Sequence, residues 1–227
     1  MDVVTALLSS PLVLGLWVAA MVPCLAWTIR DLTTRNSHLM SLMKLVWALT
    51  VAYSGPLGLL IYRWAGRKEI ARDSPARRGA RSVAHCYSGC GLGEIAGLFI
   101  AVGLLSLATV WVAALTFACA YAAGFALTVG PLVQEGTPLR TALRDAVLSE
   151  TPSITVMEVV AIGTDLWLSG GATMGEVRFW SSLVVSLSLG LLAAWPMNIW
   201  LIQRGVKSGM MDPRHTHHDH DREGAHA

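Results

Sequence analysis

The sequence predicts an all-α protein, a polytopic integral membrane helix bundle of about six transmembrane helices with a disordered, His-rich C-terminal tail. Three observations lead there. Of 227 residues, 54% are hydrophobic and only 14% charged, and the mean hydropathy is +0.53, a balance too apolar for an ordinary soluble domain. Between residues 95 and 133 there is no charged side chain at all, about twice the length that one span of about 20 residues needs. The Lys and Arg residues gather in a loop between apolar runs rather than along one polar helix face. Residues 1–209 therefore read as one transmembrane domain and 210–227 as the tail. A net charge of +2 is too small to point to nucleic acid, and no nucleic-acid motif is present.

The spans are expected at 11–29, 39–62, 83–107, 110–132, 152–168 and 179–202. The first follows Asp2 and no basic residue, so it lacks the charged n-region of a signal peptide and reads as a retained helix. The second carries Lys44 and the break Ser54-Gly55-Pro56, a kink or a cavity-lining interruption. The third and fourth share the uncharged stretch and must fold back on each other, with the turn expected near Ala108 and Thr109. The fifth is short and holds Glu158 and Asp165, each costing about 2.5–3.5 kcal/mol at a helix centre on insertion scales. Thr151 as a cap and Pro152 at the first helical position mark its start. Ahead of it Leu139, Leu143 and Val147 recur every four residues, with Arg140 and Arg144 on another face, which predicts a separate short helix on the membrane surface over 138–148. The sixth contains Pro196.

Cytoplasmic loops carry the excess of basic residues. With both termini inside, thirteen Lys and Arg, in 63–81, 140–144 and 204–222, fall on the inner side, against Arg30, Arg35 and Arg178 outside, with Lys44 inside the second span. The expected location is accordingly a bacterial inner (plasma) membrane, multi-pass, with both termini cytoplasmic.

Chemistry-bearing residues collect at the start of the third span, in Ala84-His-Cys-Tyr-Ser-Gly-Cys-Gly-Leu-Gly-Glu94. On a helix Cys86, Cys90 and Glu94 fall at i, i+4 and i+8 and share a face. His85 points elsewhere in an ideal helix, but Gly89, Gly91 and Gly93 soften the turns enough to bring its imidazole round. Thiol, imidazole and carboxylate together suit a soft transition metal, copper or zinc. The bland alternative is a Gly-rich packing face with small buried cysteines. A Cys86–Cys90 disulfide is disfavoured, because the charge count puts this end on the reducing side. In the fifth span Glu158 and Asp165 are seven apart and share a face with Thr155 nearby. Glu158, alone or with Lys44, is a candidate for an ion or proton path, its bland reading being a Glu158–Lys44 pair; Asp165 reads as a wet interfacial acid. The tail holds His215, His217, His218, His220 and His226 interleaved with acids, a loose metal-binding tract and an auxiliary collector.

Four ordered segments carry a resemblance: Leu45-Val-Trp-Ala-Leu-Thr-Val-Ala-Tyr-Ser-Gly-Pro-Leu-Gly58 with Tyr62-Arg-Trp-Ala-Gly-Arg67, then His85-Cys-Tyr-Ser-Gly-Cys-Gly-Leu-Gly-Glu94, then Ala142-Leu-Arg-Asp-Ala-Val-Leu-Ser149, and Trp195-Pro-Met-Asn-Ile-Trp-Leu-Ile-Gln-Arg-Gly-Val-Lys207. Together they resemble an uncharacterised bacterial family of small membrane proteins, domain of unknown function 4396. The resemblance implies a shared multi-helix fold and points to the His-Cys segment, without an activity to carry over. No ATP-binding motif and no nucleophile with a partnering base is present, so an enzyme is not the expectation. The expectation is an integral membrane protein that binds or moves copper or zinc through His85, Cys86, Cys90 and Glu94, its partners being the lipid bilayer and the metal ion. A thiol- or quinone-linked redox protein using Cys86 and Cys90 is one alternative, and a structural membrane subunit without chemistry is another.

Overall fold

The computed structural model describes residues 3–70, 72–134, 136–207 and 213–214, and they are helical with no strand among them. Five helices are long and apolar enough to cross a bilayer, which makes the chain a multi-pass membrane protein. A short α1 (Val3–Leu8) leads into α2 (Pro11–Thr33), which Pro11 opens because a first-turn residue needs no N–H partner. Next come α3 (Ser41–Ser54), α4 (Pro56–Ile61) and a π-helical turn, Tyr62–Gly66. Helix α5 (Pro75–Leu98) starts at Ser74, whose hydroxyl accepts from the Arg77 N–H, and runs on as a π-helical segment, Phe99–Leu104. Helices α6 (Thr109–Gln134), α7 (Leu139–Ser169) and α8 (Val177–Gln203) complete the bundle.

The second expected span, 39–62, is not a span. Gly55 sits at φ +53°, a conformation that costs little only for glycine, and Pro56 restarts the chain in a new direction. Helix α4 folds back against α3 so closely that a Cβ on Gly58 would meet the Thr50 carbonyl and Val51 Cα. At the base of the return, Tyr62 packs on Trp47 with ring centroids 5.2 Å apart. The hairpin starts just past the end of α2, and its return reaches the same end: the Arg67 guanidinium donates to Asp31 at 3.0 and 3.2 Å, and the Tyr62 hydroxyl donates to it at 2.8 Å. The tip instead reaches the middle of α2, where Gly55 lies against Trp17 and Met21. Residues 41–66 therefore enter and leave at one end of the bundle. A backbone break of this kind is stable in a bilayer only inside protein, and the tip is indeed covered by α2 and by α5, where the Ser54 and Tyr87 hydroxyls are 2.7 Å apart.

The surface helix over 138–148 and the fifth span form one helix of 31 residues with Pro152 inside it. Thr151 does not cap; its hydroxyl bonds that of Tyr121 on α6. Tertiary contacts outweigh the proline: Ala142 and Ala146 pack under Val129 and Phe125, and Glu150, one turn on, is held by Lys207. The turn between α5 and α6 falls at 105–108, slightly ahead of the expected position, with Ser106 at φ +48°.

Candidate functional site

Helix α5 is the centre of the bundle, and from Gly79 to Gly91 every residue on it is buried. Its rows of side chains have different partners. Gly89, Gly93 and Gly97, spaced four apart, press their backbone onto α6: a Cβ at Gly89 would lie 2.9 Å from Gly124 Cα, one at Gly97 2.8 Å from Thr116 Cα, and one at Gly93 would collide with the Cys119 carbonyl. Such small-residue rows let helices approach closely in lipid, where packing rather than hydrophobicity drives association. Gly91 accommodates Tyr53 of the hairpin, and Ser88 donates to the Val46 carbonyl at 2.9 Å.

The row one residue round, Cys86, Cys90 and Glu94, lies toward the acids of α7. The two Sγ atoms are 4.0 Å apart, both residues about 1% exposed, and the cysteines are free thiols. The Cys90 thiol lies beside the carboxyl of Glu158 on α7 and packs where a Cβ on Gly124 of α6 would come within 2.9 Å. Glu94, 2% exposed, lies within electrostatic reach of Glu158 and Asp165. The Oε2 atoms of Glu94 and Glu158 are both buried without a hydrogen-bond partner. Asp165, expected as a wet interfacial acid, is half-buried near the end of α7 and accepts from the Ser182 hydroxyl of α8 at 2.8 Å. Thr155 is exposed and off the seam.

His85 stays off this row. It precedes Gly89 by four residues and so belongs to the glycine row facing α6, near Leu127, and its Nδ1 has no partner. The glycines do not bend α5, which is regular through this stretch. Lys44 is likewise remote from Glu158; its ammonium donates to the Ser37 carbonyl at the base of the hairpin. Among the described residues no three His, Cys, Asp or Glu side chains are already arranged as ligands of one metal ion. His215, His217, His218, His220 and His226 lie outside the described residues. The last segment that is described, 213–214, sits at the hairpin base, where the Pro213 carbonyl is 2.7 Å from the His38 ring.

At the opposite end of the seam from Asp165 is a polar knot that sequence reasoning missed. Lys207 donates to Glu150 at 2.6 Å and to the Asn198 side-chain carbonyl at 3.1 Å, the Ser82 hydroxyl donates to the same carbonyl at 3.0 Å, and the Asn198 amide donates to the Ser153 hydroxyl. All five residues are buried. Single Ser and Asn residues in apolar runs give no periodic signal; the readable hint was Asn198 two residues after Pro196, a polar group that must find a partner in lipid. From this knot, past the Cys86–Cys90–Glu158 group and Glu94 to Asp165 and Ser182, ionisable and polar groups follow one another along the interior between α5, α7 and α8.

No curated protein and no solved structure shows a significant match to the chain. The family model described as domain of unknown function (DUF4396) matches residues 77–207, a range that holds the glycine row, the cysteine pair, Glu158 and the polar knot and leaves the hairpin outside it. The chain belongs to this family of unknown function.

Proposed function

We propose that the chain binds and moves a soft transition-metal ion, copper or zinc, through the interior of its bundle. The thiols of Cys86 and Cys90 are the primary ligands and Glu158 the third. The observation that carries this reading is the pair of buried sulfurs 4.0 Å apart beside a carboxyl with an unpartnered oxygen. With metal–sulfur bonds of about 2.3 Å, that separation corresponds to a sulfur–metal–sulfur angle of about 120°, within the trigonal to tetrahedral range. Glu94 and Asp165 continue the acidic seam, and intramembrane acids of this kind mark ion pathways. The hairpin supports the same reading, since its broken tip ends beside Tyr87 and Gly91, level with the cysteine pair, as interrupted helices do at midplane sites of transporters. His85 and Lys44 drop out of the ligand and path set, and the tail histidines serve as a collector at the mouth.

A thiol redox role fits less well. Residues four apart on a regular helix hold their Cβ atoms about 5–6 Å apart, whereas a disulfide wants about 3.5–4.5 Å.

The membrane in question is the inner, or plasma, membrane. With the hairpin returning to its own side, the positive-inside rule favours an outer N-terminus and an inner C-terminus. Arg178 is then the single basic residue on the outer side, and the other sixteen of the seventeen Lys and Arg lie inside, a sharper division than both termini inside provides. Metal analysis of full-length protein with the five tail histidines changed to Ala tests the function. About one Cu(I) or Zn per chain that is lost in Cys86→Ser supports it, and no metal before mutation overturns it.

A further inference from the structure

We infer that the chain carries a binding site for an anionic phospholipid headgroup at the basic end of α2, separate from the metal path. A cleft of about 420 Å³ opens there, lined by Trp27, Arg30, Asp31, Thr34 and Arg35. Its one acid is already committed, because Asp31 accepts from Arg67, Tyr62 and Asn36. The guanidinium groups of Arg30, Arg35 and, over the Trp27 ring, Arg63 have no carboxylate within ion-pair distance among the described residues. Arg63 and Arg67 stand over the Trp27 ring at 5.4 and 5.5 Å from its centroid.

Two ordinary explanations of such arginines fail. They are not needed to satisfy the end of α2, since the Thr33 and Thr34 hydroxyls already donate to the Ile29 and Arg30 carbonyls. Nor do they neutralise a neighbouring acid: among the described residues the acids at this end, Asp31 and Glu69, are both paired with Arg67. What remains is an excess of positive charge around a concave, aromatic-edged space, and a phosphodiester is the group that arginine forks recognise through paired N–H donors. A lipid rather than a free phosphate fits the surroundings. Only 6% of the apolar stretch of α2 is buried, and Val22 and Ile29 stand exposed on the helix that leads up to the cleft, so acyl chains have a surface to lie on. Basic clefts between helices on the cytoplasmic side bind headgroups in this way.

The test is the thermal stability of the detergent-purified full chain on adding phosphatidylglycerol, phosphatidylcholine or inorganic phosphate. Phosphatidylglycerol should raise the melting temperature by several degrees more than phosphatidylcholine, and inorganic phosphate at equal concentration should do nothing. The triple variant Arg30→Gln/Arg35→Gln/Arg63→Gln should lose the difference, with Arg35→Gln alone, at an exposed position, showing a smaller loss if the triple variant does not fold. Arg140→Gln/Arg144→Gln removes two exposed basic residues elsewhere and should keep it. Retention of the effect in the cleft variants, equal loss in the Arg140/Arg144 control, or an equal response to inorganic phosphate would overturn the proposal.

Discussion

Two neighbouring rows on α5 lie one residue apart and are built on opposite principles. Gly89, Gly93 and Gly97 carry no side chains, and their row lets the backbone of α6 come close. The row of Cys86, Cys90 and Glu94 has the same four-residue spacing and the same depth of burial, yet it leaves a carboxylate oxygen without a partner and faces another that is also unpartnered. Assembly needs only the first row. The second takes polar groups out of water at a cost that packing alone does not require. The packing and the ligand readings of one glycine- and cysteine-rich stretch are thus not rivals, because they occupy different faces of the helix.

The largest effect should come from filling the glycine row. Gly93→Leu places a side chain on the Cys119 backbone, which cannot swing aside as a side-chain tip can. Overpacking typically costs about 1–3 kcal/mol, and occasionally more, so a marginally stable membrane bundle should lose most of its folded yield, measured as the monodisperse fraction after detergent extraction. A Leu at exposed Leu92's neighbour Ala96, which faces away from the core, should leave that yield within a factor of two. Normal yield of Gly93→Leu would mean that α5 and α6 are not in backbone contact.

Next in size is the ligand row. Cys86→Ser and Cys90→Ser preserve volume and should keep the folded yield, but each should weaken Cu(I) binding at least tenfold, since a soft ion prefers thiolate to hydroxyl. Because ligation needs deprotonated thiols, metal addition should release protons in the parent protein and fewer in the variants. Glu158→Gln should weaken binding by a smaller factor, and Lys44→Gln not at all. Equal loss in Lys44→Gln would restore the Glu158–Lys44 pairing that the geometry denies.

How much of this was legible in the sequence follows from which signals are local. Five of six spans could be read because length and hydropathy are properties of one segment. The hairpin could not, since Ser54-Gly55-Pro56 marks a break without saying whether the chain then continues or returns; that is decided by Gly58 against Thr50 and by Arg67 reaching Asp31, contacts between distant positions. The joined helix α7 was missed for a similar reason, a helix-start signal at Thr151-Pro152 being outweighed by packing on Val129 and the Glu150–Lys207 pair. Helical spacing placed Cys86, Cys90 and Glu94 on one face, while their partner Glu158 was read as part of a separate seam, because no rule of spacing links two helices. The hairpin carries its own intermediate-sized prediction. A single reporter cysteine near Val3, in a protein whose native cysteines are changed to Ala, should label from outside intact cells together with one at Gly171, and one in 67–81 should not. Labelling of residue 3 from inside only would return the chain to six crossings.

The smallest effect is expected at His85, and it divides the two rows most finely. Its position among chemistry-bearing residues made it a ligand candidate, but helix geometry assigns it to the glycine row, four residues before Gly89, on the side of α6 rather than that of Cys86 and Glu158. His85→Ala should therefore cost some stability, about 0.5–3 kcal/mol for truncating a buried side chain, while changing Cu(I) affinity less than threefold. His85→Gln, which keeps most of the side-chain volume, should recover most of the stability and leave affinity unchanged. A tenfold loss of affinity in both variants, with stability intact, would mean that the imidazole turns toward the thiols when metal binds, and the separation of the two rows would then hold only for the metal-free protein.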